Sequence, residues 1–364
     1  LVTTPDAPLP DGDDPPKKWR PSGFQIAASL ASLALAVVLF GLLLPKAAGT
    51  GWSEAWDVLT QLSWLDVVVM TGLWALGLWL YTYVYTGSMS GITHGQALAL
   101  NLTGSLVSNL LPFGGAAGVA NTYGLTFTWG FSGIRTSLMV LVSGLANLLI
   151  RIALPVIGLF ALMGSSAALP DAAGGVLITT LVVLLLAAAA VFAMLVSPRI
   201  AGWLGAVGDK ALWGIARLLR RQVPADDRLH AAAIDMQSRA SVVLRRGWPA
   251  ITFGMVAYYA SELALFLWAL DALGAELGVA ETTAAFALSR VLTSVVVTPS
   301  GVGVSEAGTA GLLVLFGTPP AIAAAAVLVL HFYTYLIEIP AGIAGWGWVL
   351  AMRKRWNKER SVMG

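Results

Sequence analysis

Thr298-Pro299-Ser300-Gly301-Val302-Gly303-Val304-Ser305-Glu306 interrupts a long apolar stretch. Leu111-Pro112-Phe113-Gly114-Gly115-Ala116-Ala117-Gly118 interrupts another, with Pro112 and Pro299 standing 187 positions apart. Proline lacks the N–H that a helix needs and glycine loosens the backbone, so each run breaks a helix. In hydrocarbon such a break leaves backbone groups without helical partners, and it survives only where protein or a wet cavity supplies them. Broken helices at matching places in two half-repeats are a sequence pointer to a transporter's binding site.

Working outward, 57% of the 364 residues are hydrophobic and 11% charged. Several apolar runs reach the roughly 20 residues that cross a bilayer, which predicts an all-α polytopic membrane protein. Six full spans are expected, over about 24–44, 65–85, 136–163, 174–197, 249–270 and 320–350. Two broken, re-entrant helical hairpins fall at about 95–130 and 281–317. The first run, Phe24 to Leu44, ends at Pro45-Lys46 without a small-residue cleavage site and reads as a retained span. Residues 1–23, rich in Pro and Asp, read as a disordered cytoplasmic N-terminus, residues 24–350 as one transmembrane domain, and 351–364 as a basic cytoplasmic tail.

Sidedness follows from base placement. Lys17, Lys18 and Arg20 precede the first span, bases are dense from Arg199 to Arg246, and Arg353, Lys354 and Arg355 follow the last span. The loops with Glu54, Asp57, Asp171, Asp271, Glu276 and Glu281 carry almost none. Both termini are therefore expected in the cytoplasm. On that path the units at about 65–163 and 249–350 become inverted-topology repeats, since one hairpin enters from each side. Offsetting by 187 also lays Gly114 on Gly301, Ala97 on Ala284 and Gly118 on Ser305. Segment 199–248, mixing bases with Leu204, Trp213 and Leu218, reads as an amphipathic cytoplasmic stretch lying on the anionic leaflet. Trp19, Trp64, Trp129, Trp248 and Trp356 fall near span ends, where indole rings anchor.

Arg151, Glu262, Arg290, Glu306, His331 and Glu338 lie inside apolar segments. Even lenient insertion scales place the cost of a mid-membrane charge at about 2.5 to 3.5 kcal/mol, so these groups need partners or a cavity. Spacing makes Arg290 with Glu306 one candidate ion pair. Arg151 and Arg290 suit a phosphate, because guanidinium stays charged and can hold two oxygens. Helices restarting at about Ala116 and Val304 would turn free N–H groups toward an anion. The substrate-binding candidates are Arg290, Arg151 and Glu306, with Ser300, Gly301, Gly303 and Ser305 at one tip and Pro112, Gly114, Gly115 and Gly118 at the other. Packing between helices is the competing explanation for the glycines. Glu262, His331 and Glu338 are candidates for proton exchange. Along the first hairpin Asn101, Ser105, Ser108 and Asn109 share a helical face, and Ser137, Ser143 and Asn147 add polarity to the third span.

With no cysteine and three scattered histidines, neither a disulfide nor a metal site is expected. No cofactor and no nucleic acid is expected, and no Gly-Lys-Ser/Thr phosphate loop is present to supply energy. No tight Ser/His/Asp group announces covalent catalysis, so transport is favoured over enzyme activity. A transporter of a small soluble anion and a membrane-embedded lipid-modifying enzyme are the alternatives.

Ser289-Arg290 with Thr298 to Gly308, and Asn109 to Gly118 in the first half, resemble the signature of the membrane domain of lysylphosphatidylglycerol synthases, a flippase-like family. The resemblance implies movement of a phospholipid or polyprenyl-phosphate glycolipid between the leaflets of a bacterial inner membrane. It also implies a lipid-modifying enzyme as a candidate partner, and it is compatible with a homo-oligomer. Full-length synthases add a soluble aminoacyltransferase domain; none fits in this sequence, so synthase activity is not expected. Where the family often has an acid after the first break and a base in the last span, this chain has Val119 and His331.

Overall fold

In the computed structural model the described residues are 41–42, 44–110, 114–163, 228–292 and 304–363, together with scattered positions from 179 to 207. Within them a short helix α1 (Trp52–Leu59) precedes α2 (Trp64–Ser88), α3 (His94–Leu110), α4 (Gly114–Thr128) and α5 (Gly133–Met163). After these come α6 (Arg228–Ala272), α7 (Val279–Leu292), α8 (Val304–Leu315) and α9 (Pro320–His331). A π-helical turn (Phe332–Leu336) then leads into α10 (Glu338–Met363). A long helix, two short ones and a long one occur twice in succession. The first expected span, the fourth, and the residues between each pair of short helices lie outside the described residues.

Four helices among the described residues are long and apolar enough to cross a membrane: Trp64–Ser88, Gly133–Met163, Ile234–Ala272 and Pro320–Met352. Their apolar windows are only 28% to 50% buried. An apolar helix in a water-soluble protein would hide that surface, so the exposed remainder, including Trp64, Phe160 and Met163, faces lipid. These four coincide with the second, third, fifth and sixth expected spans. One boundary differs. The helix that carries the fifth span starts well before 249, at Arg228, and holds Pro249 inside it. Proline there removes one helical hydrogen bond but keeps a helical φ, and packing on both sides holds the helix together.

Among the described residues the largest interface joins α2 to α6. Gly77 meets Ser261, Leu80 meets Gly254 and Gly87 meets Gly247, so partner numbers fall as numbers rise and the helices run antiparallel. Glycine is required at the narrow end, because a Cβ on Gly247 would stand 1.9 Å from the Gly87 carbonyl oxygen. At the other end Ser63 caps α2, its hydroxyl accepting from the Asp66 N–H at 3.3 Å, while Trp268 Nε1 of α6 donates to Asp66 Oδ1 at 3.1 Å. That tie is exposed. Replacing Trp268 with Phe should cost about 1 kcal/mol and lower the thermal midpoint in detergent by a few degrees.

The first arm of each short-helix pair reaches across to the other half of the chain. α3 packs on α10, where Gly342 and Gly345 admit Leu102 and Leu106, and α7 packs on α5, where Gly158 admits Ala284 and Ala287. Gly158 and Gly345 stand 187 positions apart, the same separation as Pro112 and Pro299. The last long helix thus carries a π turn between its two parts. Pro340 has no N–H to return to the carbonyl four residues back, and the Ile337 N–H bonds the Phe332 carbonyl at 2.9 Å in the wider register.

Candidate functional site

Polar side chains from α5, α6, α7, α8 and the π region converge where these helices cross. Asn147 of α5 is a hub: its Oδ1 accepts from Arg151 Nε at 3.1 Å and from the Tyr259 hydroxyl at 2.9 Å. One residue earlier on α6, the Tyr258 hydroxyl donates to Glu262 Oε1 at 2.8 Å. The other oxygen of Glu262 lies 3.6 Å from Arg290 Nη1 of α7, and the Arg290 guanidinium rests 4.8 Å over the Phe286 ring. Arg151 and Arg290 are therefore joined through one tyrosine pair. Tyr335 lies in the field of both arginines and of Glu306 and Glu338.

Two more carboxylates complete the group. Glu306, at the start of α8, is fully buried and receives the Ser305 hydroxyl on one oxygen at 2.7 Å, while His331 Nδ1 lies 3.1 Å from the other. The imidazole stacks on Tyr335 with ring centroids 5.0 Å apart. Glu338 opens α10, where Asn109 Nδ2 of α3 donates to it at 3.3 Å and Ser105 also bonds it. The polar face expected along α3 is thus partly used on the last long helix. Ser305 and His331 both approach the Glu306 carboxylate, one on each oxygen.

The six charged or titratable candidates Arg151, Glu262, Arg290, Glu306, His331 and Glu338 belong to this one region. The partner expected for Arg290 from spacing was Glu306; Glu262 stands at ion-pair distance from it. Pro112, Ser300, Gly301 and Gly303 lie outside the described residues. The remaining tip glycines separate into two kinds. A Cβ on Gly114 would lie 2.0 Å from the Ser108 carbonyl oxygen, and one on Gly118 would lie 2.3 Å from the Ser108 hydroxyl, so both serve the close packing of α4 on α3. Gly115 has open space at that position. Sequence reasoning missed Tyr258, Tyr259 and the π turn. A tyrosine four residues before a membrane carboxylate was the available signal for the first, and Pro340 two residues after Glu338 was the signal for the last.

Between α2, α6 and the π turn lies a cavity of about 330 Å³, counting its open mouth, walled by Trp74, Gly77, Tyr258, Ser261, Glu262, Thr334 and Glu338 among others. Residues 29–342 match the family described as lysylphosphatidylglycerol synthase TM region. The chain belongs to this family. Membership supports a lipid-flipping transport function and a lipid substrate, and the family indicates the bacterial inner membrane. No curated protein matches the chain.

Proposed function

We propose that this protein carries a phosphate-containing lipid headgroup from one leaflet to the other through a groove bounded by the two short-helix pairs. The observation that supports it most is the joining of Arg151 in the first half to Arg290 in the second, through Asn147, Tyr259, Tyr258 and Glu262, inside membrane-spanning helices. A lipid's tails can stay in hydrocarbon while its head passes a polar wall, so few charges are needed. Arg290, Arg151, Glu306 and Ser305 are the binding groups of this reading, with the tip residues Pro112, Gly114, Gly115, Gly118, Ser300, Gly301 and Gly303 flanking the path.

The alternation of long and short helices, the antiparallel α2 and α6, and the glycine pair at Gly158 and Gly345 support two inverted repeats with re-entrant hairpins. Rocking of one half against the other would then expose the site to each leaflet in turn. The six-span path puts both termini in the cytoplasm. A phospholipid or a polyprenyl-phosphate glycolipid fits the chemistry. In vesicles reconstituted with the protein, labelled lipid should lose its leaflet asymmetry at least tenfold faster than in protein-free vesicles. Equal rates across phospholipids, aminoacylated lipids and polyprenyl-phosphate lipids would sink the proposal.

A further inference from the structure

Glu306 and His331 differ from the other charged groups of this region, because each oxygen of the carboxylate has a close neighbour and one of those neighbours can change charge. The Ser305 hydroxyl donates to Oε2 at 2.7 Å, and His331 Nδ1 lies 3.1 Å from Oε1. The carboxylate side chain is sealed at 0% exposure, whereas the imidazole keeps 16%. A proton therefore reaches the pair through the ring. With Nδ1 turned to the carboxylate, the hydrogen of the neutral ring sits on Nδ1 and the lone pair on Nε2, so Nε2 is the atom that takes up a proton from water. Tyr335 holds the ring in that orientation, since the two rings stack with centroids 5.0 Å apart and planes within 6° of parallel.

The charge of that ring is set by opposing neighbours. Glu306 of α8 favours an imidazolium, and Arg290 of α7, a cation that acts on the ring, opposes it. Of the other elements packed on α9, α6 brings Glu262, which faces Arg290, and the exposed Asp271. The π turn brings Tyr335, and α1 brings Glu54 and Asp57, both exposed. Arg151 and Glu338 act on Tyr335 as well. The opposition of Arg290 is conditional. An anion seated on its guanidinium would offset its charge and leave Glu306 to dominate, so binding of an anion and binding of a proton each strengthen the other by the same factor.

We infer that His331 takes up a proton when a phosphate headgroup engages Arg290, so that a proton crosses the membrane together with each anionic lipid. That the anion is a headgroup rests on the lipid-transport reading, whereas proton exchange at the His331–Glu306 pair does not. The place of the ring suits the task. His331 ends α9 and Tyr335 lies within the π turn, while Glu306 stands in the first turn of α8. Charging the ring tightens its hold on Glu306 and draws the second short-helix pair toward the joint between α9 and α10. Release of the proton on the other side loosens it again. Helical segments in the π register are common at functional sites.

The sequence has three histidines, His94, His230 and His331, so NMR of the purified protein labelled with nitrogen-15 histidine reads the ring directly, and His331→Gln assigns its signal. In dodecyl maltoside micelles carrying phosphatidylglycerol the His331 ring should bind its proton roughly tenfold more tightly than in micelles without it, a coupling of ordinary size for linked sites. His94 and His230 report the effect of surface charge and should move less. With Arg290→Met and Glu262→Leu together, the ring should take up its proton without the lipid, and the lipid should no longer change it. Glu306→Gln should cost the ring roughly tenfold in proton affinity, since the opposite charge is gone. Should that variant fail to fold, the comparison with and without phosphatidylglycerol on the unaltered protein decides alone. An unchanged His331 signal in that comparison would overturn the inference. In vesicles an imposed pH step should drive labelled phosphatidylglycerol toward the alkaline side, and His331→Gln should abolish the response. Lipid movement indifferent to the step would overturn the coupling and leave the lipid-transport reading standing. A ring that gains its proton with phosphatidylglycerol, in a protein that moves no lipid, would leave the proton-linked site standing and remove the transport reading.

Discussion

Replacing Arg290 with alanine is expected to bring lipid movement down to the rate of protein-free vesicles. The guanidinium is about nine-tenths buried and stands 3.6 Å from Glu262, whose side chain is equally buried. Removing one member of such a pair strands the other, at about 3 to 5 kcal/mol, so lower stability is also expected and loss of transport in that variant alone is ambiguous. The double variant Arg290→Met with Glu262→Leu resolves it, because taking out both charges together is often neutral for the fold. If Arg290 holds a headgroup phosphate, the double variant regains the thermal midpoint and still moves no lipid. If it regains transport as well, Arg290 serves only the fold. Arg290→Lys should keep part of the rate, since ammonium preserves the charge but not the two-pronged geometry that matches phosphate oxygens.

The neighbouring glycines of α4 should respond in opposite ways. Gly114→Val is expected to yield little folded protein, because its Cβ would press within 2.0 Å of the Ser108 carbonyl oxygen, and neither backbone can retreat without opening the α3–α4 pair. Overpacking costs roughly 1 to 3 kcal/mol where neighbours can adjust, and here the neighbour is backbone, so the upper end or beyond is expected. The Cβ of Gly115→Val would meet nothing within 4 Å, and this variant should leave the thermal midpoint within a degree or two. Its effect should fall on transport alone, if a headgroup passes close to that backbone. Normal transport by Gly115→Val would take the first tip off the lipid path.

Much of this organisation was legible in the chain because hydrophobic length and proline placement act locally. The helices of Trp64–Ser88 and Gly133–Met163 each carry an apolar window long enough to cross a membrane and could hardly be placed elsewhere. The restarts at Gly114 and Val304 follow from the glycines and prolines just before them. The site was harder to read because its partners are distant in sequence. Tyr259 finds Asn147 from 112 positions away, and Asn109 finds Glu338 from 229 away. Spacing along one hairpin suggested Arg290 with Glu306 and could not show that a helix from outside that hairpin brings Glu262 within 3.6 Å of Arg290. The run from about 249 marks where hydropathy rises, whereas the helix itself starts earlier, at Arg228, and carries Pro249 inside it.

The crossed seating of α3 on α10 has a consequence for how the chain is made. Leu102 emerges from the ribosome about 240 residues ahead of Gly345, the position that receives it. At ~5 to 20 residues per second of synthesis this is roughly 12 to 50 seconds. For that time an arm bearing Asn101, Ser105 and Asn109 must wait in or beside the membrane without its final neighbour. The nascent chain is thus most vulnerable in the middle of translation, and ribosomes stalled before Trp346 should release products that quality-control proteases remove.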